Sequence, residues 1–131
     1  MKIIAIGNTG LKVNKNGFGA LPIQRITMKE AVYLLQKAYD NGIDFYDTAR
    51  FYTDSEEKLG KAFEDIRENI YIATKTGMET VDEFWNDLET SLNELKTDYV
   101  DLYQFHNISF CPKEDDELYQ AMLEAKNQGI S

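Results

Sequence analysis

The sequence predicts an α/β fold in which parallel strands alternate with helices. Three observations carry that expectation. Short apolar runs rich in β-branched and aromatic residues alternate with longer segments of helical periodicity, four times over. Each strand–helix unit takes about 30 residues, the size of a βαβ unit. No linker or low-complexity tract interrupts the series. Parallel strands need crossover connections, and these are right-handed. Such units suit a (β/α)8 TIM barrel or an open doubly wound sheet. A whole barrel takes about 250 residues, so the 131 residues here have room for the first four βα units, as a single domain over residues 1–131.

The elements follow in order. "KIIAIG" and "LKV" flank the turn signal "NTG" and read as an N-terminal β-hairpin. "NGFGAL" reads as a short Gly-rich strand. Thr27 and Glu30 have capping-box spacing ahead of a helix running to about Asn41, with Ala31, Leu34, Leu35 and Ala38 as its apolar face. Asn41-Gly42 stops it. "IDFYDTA" is the next strand, "SEEKLGKAFEDI" a short helix and "IYIAT" a strand. Thr80 and Glu83 repeat the capping spacing. They open a helix whose apolar face is Val81, Phe84, Trp85, Leu88, Leu92 and Leu95. "YVDLYQFH" is the fourth strand of the series, and "DDELYQAMLEAKNQ" the last helix, closed by Gly129.

Composition narrows the function. The chain is 43% hydrophobic and 12% aromatic, enough for a packed core. Fourteen Lys and Arg stand against 23 Asp and Glu, a net charge of −9. That balance argues against nucleic acid and against an anionic membrane surface as partners. Cys111 is the single cysteine, so no intrachain disulfide and no cysteine cluster for a metal is expected. The N-terminal apolar run is too short for a signal peptide, and no run reaches the ~20 apolar residues of a membrane span. A cytoplasmic setting is expected.

In a barrel, the chemistry sits where strands end and loops begin. Read that way, the strand ends bring together Asp47 with Tyr52 in the following loop, Lys75, and His106. A carboxylate at the mouth of a buried strand needs a cation, and Lys75 is the one offered. A lysine beside a phenol stabilises the phenolate and makes Tyr52 a stronger acid. His106 can add a second hydrogen bond to the same substrate oxygen. These parts serve carbonyl reduction, in which a proton must reach a developing alkoxide. None of them can supply hydride, so a nicotinamide cofactor is implied.

The segments "NTGLKVNKNGFGALPIQR", "GIDFYDTARFYTDSEEKLGKAF", "IATKTG" and "LKTDYVDLYQFHN" resemble, in order, the N-terminal half of an aldo-keto reductase. The resemblance runs from about Gly7 to Gly129. It implies a TIM-barrel fold and a catalytic tetrad of Asp47, Tyr52, Lys75 and His106. It also implies that Gly19, Ala20 and Leu21 lie along the cofactor and that Asp47 approaches the nicotinamide ribose. The cofactor implied is NADP(H), with NAD(H) possible, and the substrate a small carbonyl compound.

Two other readings compete. Lys75 could act as a Schiff-base nucleophile in an aldolase-like barrel, although a partner carboxylate disfavours it. Alternatively, the chain is a truncated, non-catalytic half-barrel that self-associates through its open strand edges. Each residue also has an ordinary structural role open to it. Tyr52 could be a packing tyrosine, His106 a satisfied core histidine, Asp47-Thr48 a turn cap and Lys75 half of a surface ion pair.

Overall fold

The structure, a computed structural model, describes residues 3–5, 11–14, 16–78, 80–105 and 116–130. The N-terminal hairpin is present as β1 (Ile3–Ala5) and β2 (Lys12–Asn14), antiparallel, with Ile4 opposite Val13. Its "NTG" turn lies outside the described residues.

Four strand–helix units follow. β3 (Phe18–Gly19) leads through a 3-10 turn (Leu21–Arg25) to α1 (Met28–Asp40). β4 (Phe45–Asp47) leads to α2 (Ser55–Phe63), which runs into a second 3-10 turn (Glu64–Asn69). β5 (Tyr71–Thr76) precedes α3 (Val81–Leu95), and β6 (Leu102–Phe105) precedes α4 (Glu117–Asn127). The strands make one parallel sheet in the order β3-β4-β5-β6. Sheet order is chain order, as in a barrel wall; a doubly wound sheet reverses at a switch point. The fold is a partial TIM barrel.

The expected caps are formed. Thr27 Oγ1 accepts from the Glu30 amide at 3.1 Å, and Thr80 Oγ1 from the Glu83 amide at 3.3 Å. Gly42, with φ of +95°, ends α1 in a conformation that glycine adopts without strain. Ala31 and Leu35 of the expected α1 face are buried, but Leu34 is 42% exposed. The expected single helix over "SEEKLGKAFEDI" divides instead. Ile66 has non-helical backbone angles, and the α-helix ends at Phe63.

Strand alternation sorts the two faces of the sheet. Tyr46 and Ile72 are paired in register and enter the core beneath the helices, where Tyr46 meets Phe63 at 4.6 Å between ring centroids. Phe84 of α3 packs on Tyr103 of β6 at 5.5 Å. Asp47 pairs with Ala73, which puts it on the same face as Lys75 two residues on. At the opposite ends of the strands, Arg67 ties the backbone together. It donates to Ile70 O at 3.0 Å, to Tyr99 O at 3.1 Å and to Asp101 Oδ2 at 2.8 Å. Among the described residues, no helix is long and apolar enough to cross a membrane.

Candidate active site

Lys75 reaches across from the end of β5 to the end of β4. Its Nζ donates to Asp47 Oδ1 at 2.9 Å and to the Thr48 carbonyl at 2.6 Å. It also lies 5.1 Å from the centre of the Tyr52 ring. Three of the four candidate residues are thus in one cluster; His106 lies outside the described residues. Two of the three ammonium hydrogens are committed to oxygens, an arrangement built for a cation rather than for a nucleophilic amine. The Schiff-base reading loses its main support.

Asp47 departs from expectation in one respect. Its side chain is 42% exposed, against 14% for Lys75. The pair is therefore solvent-screened and worth on the order of 1 kcal/mol or less to stability. Its effect is placement: it fixes one end of a flexible lysine. The exposed carboxylate stands beside Gly19, its partner in the β3–β4 register. A Cβ added at Gly19 would meet nothing within 4 Å, so the space at this strand mouth is open. Leu21 is 44% exposed. Ala20, between them, is fully buried. Its amide donates to Asp47 O at 2.8 Å, and its carbonyl accepts from Ser55 Oγ at 3.1 Å.

The loop carrying Tyr52 is folded tightly. The Tyr52 amide donates to Ala49 O at 3.1 Å, and Ser55 N to Tyr52 O at 2.8 Å. Thr53 has φ of +44°, in the left-handed region that a β-branched residue occupies at a cost of about 1–3 kcal/mol.

With this geometry in view, the comparison with known proteins is direct. The Aldo/keto reductase family matches the chain over residues 14–130. The chain belongs to the aldo-keto reductase family. It is similar to an L-galactose dehydrogenase of Arabidopsis thaliana, 34% identical over 84% of this chain and 39% of that protein. It is similar to the methylglyoxal reductase DkgB of Salmonella typhi, 36% identical over 74% of this chain and 38% of that protein. Its fold matches an aldo-keto reductase of Klebsiella pneumoniae solved with NADPH, with a TM-score of 0.80 and 26% identity, over 91% of this chain and 43% of the other. The chain spans about two fifths of the length of these aldo-keto reductases and relatives.

Helix α2 of this family member carries the residues that sequence reasoning passed over. Glu56 is 1% exposed and Lys58 2%. Lys58 Nζ donates to Ile23 O at 2.8 Å, Ile26 O at 2.7 Å and Asp54 Oδ1 at 2.9 Å, pinning the 3-10 turn that begins at Leu21. Glu56 Oε2 accepts from Thr74 Oγ1 at 2.6 Å, while Oε1 lies 2.7 Å from Arg50 Nη1. The latter is an ion pair without a well-directed N–H···O hydrogen bond. Burial pushes the Glu56 carboxyl above its usual range, against the pull of the nearby Ser91 and Thr74 hydroxyls and the Arg50 guanidinium. Removing one partner from a buried pair of this kind costs on the order of 3–5 kcal/mol. One signal in the sequence points to the burial. Glu56, Leu59, Gly60 and Phe63 follow the i, i+3, i+4, i+7 spacing of an inward helix face. Among the described residues, no group of His, Cys, Asp and Glu is arranged to hold a metal ion.

Proposed function

We propose that this chain carries the catalytic half of an NAD(P)H-dependent carbonyl reductase, with NADP(H) as cofactor and a small aldehyde or ketone as substrate. One observation carries the reading: the Lys75 ammonium is in contact with the Asp47 carboxylate and faces the Tyr52 ring, at the open ends of adjacent parallel strands. The residues present fit a nicotinamide. Asp47 offers an exposed carboxylate to a ribose hydroxyl. Gly19 borders open space beside it, Leu21 is exposed, and the buried Ala20 anchors that segment. The NADPH in the Klebsiella pneumoniae structure supports the choice of cofactor.

A nicotinamide held there supplies the hydride. Tyr52 donates its proton to the carbonyl oxygen as negative charge grows on it. Lys75 stabilises the phenolate left behind, and Asp47 keeps Lys75 in place. His106 gives a second hydrogen bond to the same oxygen, a role carried by the family resemblance. The single cysteine fits a cytoplasmic setting.

The test is isotopic. In a barrel completed by the C-terminal half of a relative, NADPH deuterated at C4 is expected to place deuterium on the carbonyl carbon of benzaldehyde, one per NADPH consumed. Borohydride trapping of the aldehyde on Lys75, with no deuterium transferred, would replace this mechanism with Schiff-base chemistry.

A second reading rests on the sheet. β3 and β6 are its edges among the described residues, and an edge offers unpaired backbone groups to another chain. A half-barrel that pairs with a second copy would cover both edges. Sedimentation at several concentrations is then expected to give a dimer or larger species that dissociates, and melts earlier, on dilution. A compact monomer with a concentration-independent cooperative melt would remove this reading.

A further inference from the structure

The buried charge on α2 has no part in the chemistry above, yet its contacts run to both sides of it. Glu56 meets Thr74, the residue before Lys75, and Arg50, two residues before Tyr52. Arg50 in turn makes two further bonds. Its amide donates to Lys75 O at 3.0 Å, and its Nη2 donates to Thr53 O at 3.2 Å. Tyr52 therefore stands between two residues, Arg50 and Thr53, that one guanidinium joins. Thr53 is the residue in the left-handed region, and a β-branched side chain does not rest there unless its surroundings hold it. The Arg50 bond to Thr53 O supplies one hold, and Thr53 Oγ1 donating to Gln24 Oε1 at 3.1 Å supplies another.

We propose that Glu56 is a positioning residue for the reductase site. Through Arg50 it holds the strained turn at Thr53 that aims Tyr52, and through Thr74 it holds the strand end that carries Lys75. Its burial suits the task. Out of water the Coulomb attraction between carboxylate and guanidinium is stronger, and parting them would leave a buried charge unpaired. The purpose assigned to the latch rests on the carbonyl-reductase reading; the latch itself does not.

The test uses the chain labelled with 13C-tyrosine. It has eight tyrosines, and loss of one signal in Tyr52→Phe assigns Tyr52. Glu56→Gln keeps an acceptor for Thr74 and removes the charge that binds Arg50. In this variant the Tyr52 ring signal is expected to shift or broaden. The Arg50, Tyr52 and Ser55 amides should exchange at least about tenfold faster, as for a locally loosened segment. The signal of Tyr46, whose hydroxyl donates to Ile43 O in the core, should stay in place. Arg50→Lys retains a charge but cannot serve Glu56 and Thr53 O together. It should give the same pattern, and it decides the matter if Glu56→Gln does not fold. An unmoved Tyr52 signal with unchanged exchange overturns the proposal, as does a common shift of all tyrosines. Neither readout needs turnover or cofactor. Deuterium transfer by the parent barrel alongside an unmoved Tyr52 would sink the latch and leave the reductase reading standing.

Discussion

Replacing Tyr52 by Phe is expected to lower turnover at least about 100-fold in the completed barrel, the scale of lost general-acid catalysis. The substitution removes one hydroxyl and keeps the ring that faces Lys75 at 5.1 Å. The loop's backbone bonds to Ala49 and Ser55 are untouched. A urea midpoint taken alongside separates any change in stability from the loss of turnover. NADPH affinity should hold, because Asp47 and the Gly19–Leu21 segment are unaltered. Initial rates at saturating NADPH and aldehyde make the measurement. Turnover near that of the parent would take Tyr52 out of the mechanism and return it to the packing tyrosines.

Gly60→Ala is expected to give the largest loss of stability from a single methyl group. A Cβ at this position would stand 2.3 Å from Glu94 O and 2.8 Å from the Leu95 carbonyl carbon. Both atoms are α3 backbone, which cannot swing aside as a side chain can. α2 and α3 meet here backbone to backbone, and the extra methyl must push them apart. Overpacking of this kind costs about 1–3 kcal/mol or more. Alanine's better helix propensity returns up to about 1 kcal/mol. A net loss of about 1–2 kcal/mol is expected, read as a lower urea midpoint with unchanged slope. Because α2 also carries Glu56 and Lys58, activity should fall along with stability. A midpoint at or above that of the parent would mean that the helices separate freely.

Local rules were enough for much of the fold. The caps at Thr27 and Thr80 depend on residues three apart, and both formed as read. The Asp47–Lys75 contact was legible because parallel strands bring their C-terminal ends together whatever lies between them. What local rules missed was the burial of charge. The sequence marks "SEEK" only as the start of a short helix, yet three of its four residues are buried. Apart from Asp54, next to the helix, their partners are the carbonyls of Ala20, Ile23 and Ile26, the Thr48 and Thr74 hydroxyls and Arg50, none of them visible from α2 itself. Leu34 erred in the opposite direction. Its periodicity fits an inward face, but whether a neighbour covers it is a tertiary matter. For the same reason Asp47, at the mouth of a strand rather than inside it, is more exposed than its apolar neighbours suggested.

The agreement between sheet order and chain order has a consequence for synthesis. Each new strand joins the edge left by the one before it, as Tyr71 does beside Phe45 and Leu102 beside Ala73. No strand must wait for a distant partner or insert between two already paired, so the loop-closure entropy at each step is similar and moderate. A chain emerging from the ribosome, N-terminus first, can lay down this wall strand by strand. Lys75 meets Asp47 as soon as β5 has docked. The charged centre of the site can thus assemble during translation, before β6 and α4 have left the exit tunnel.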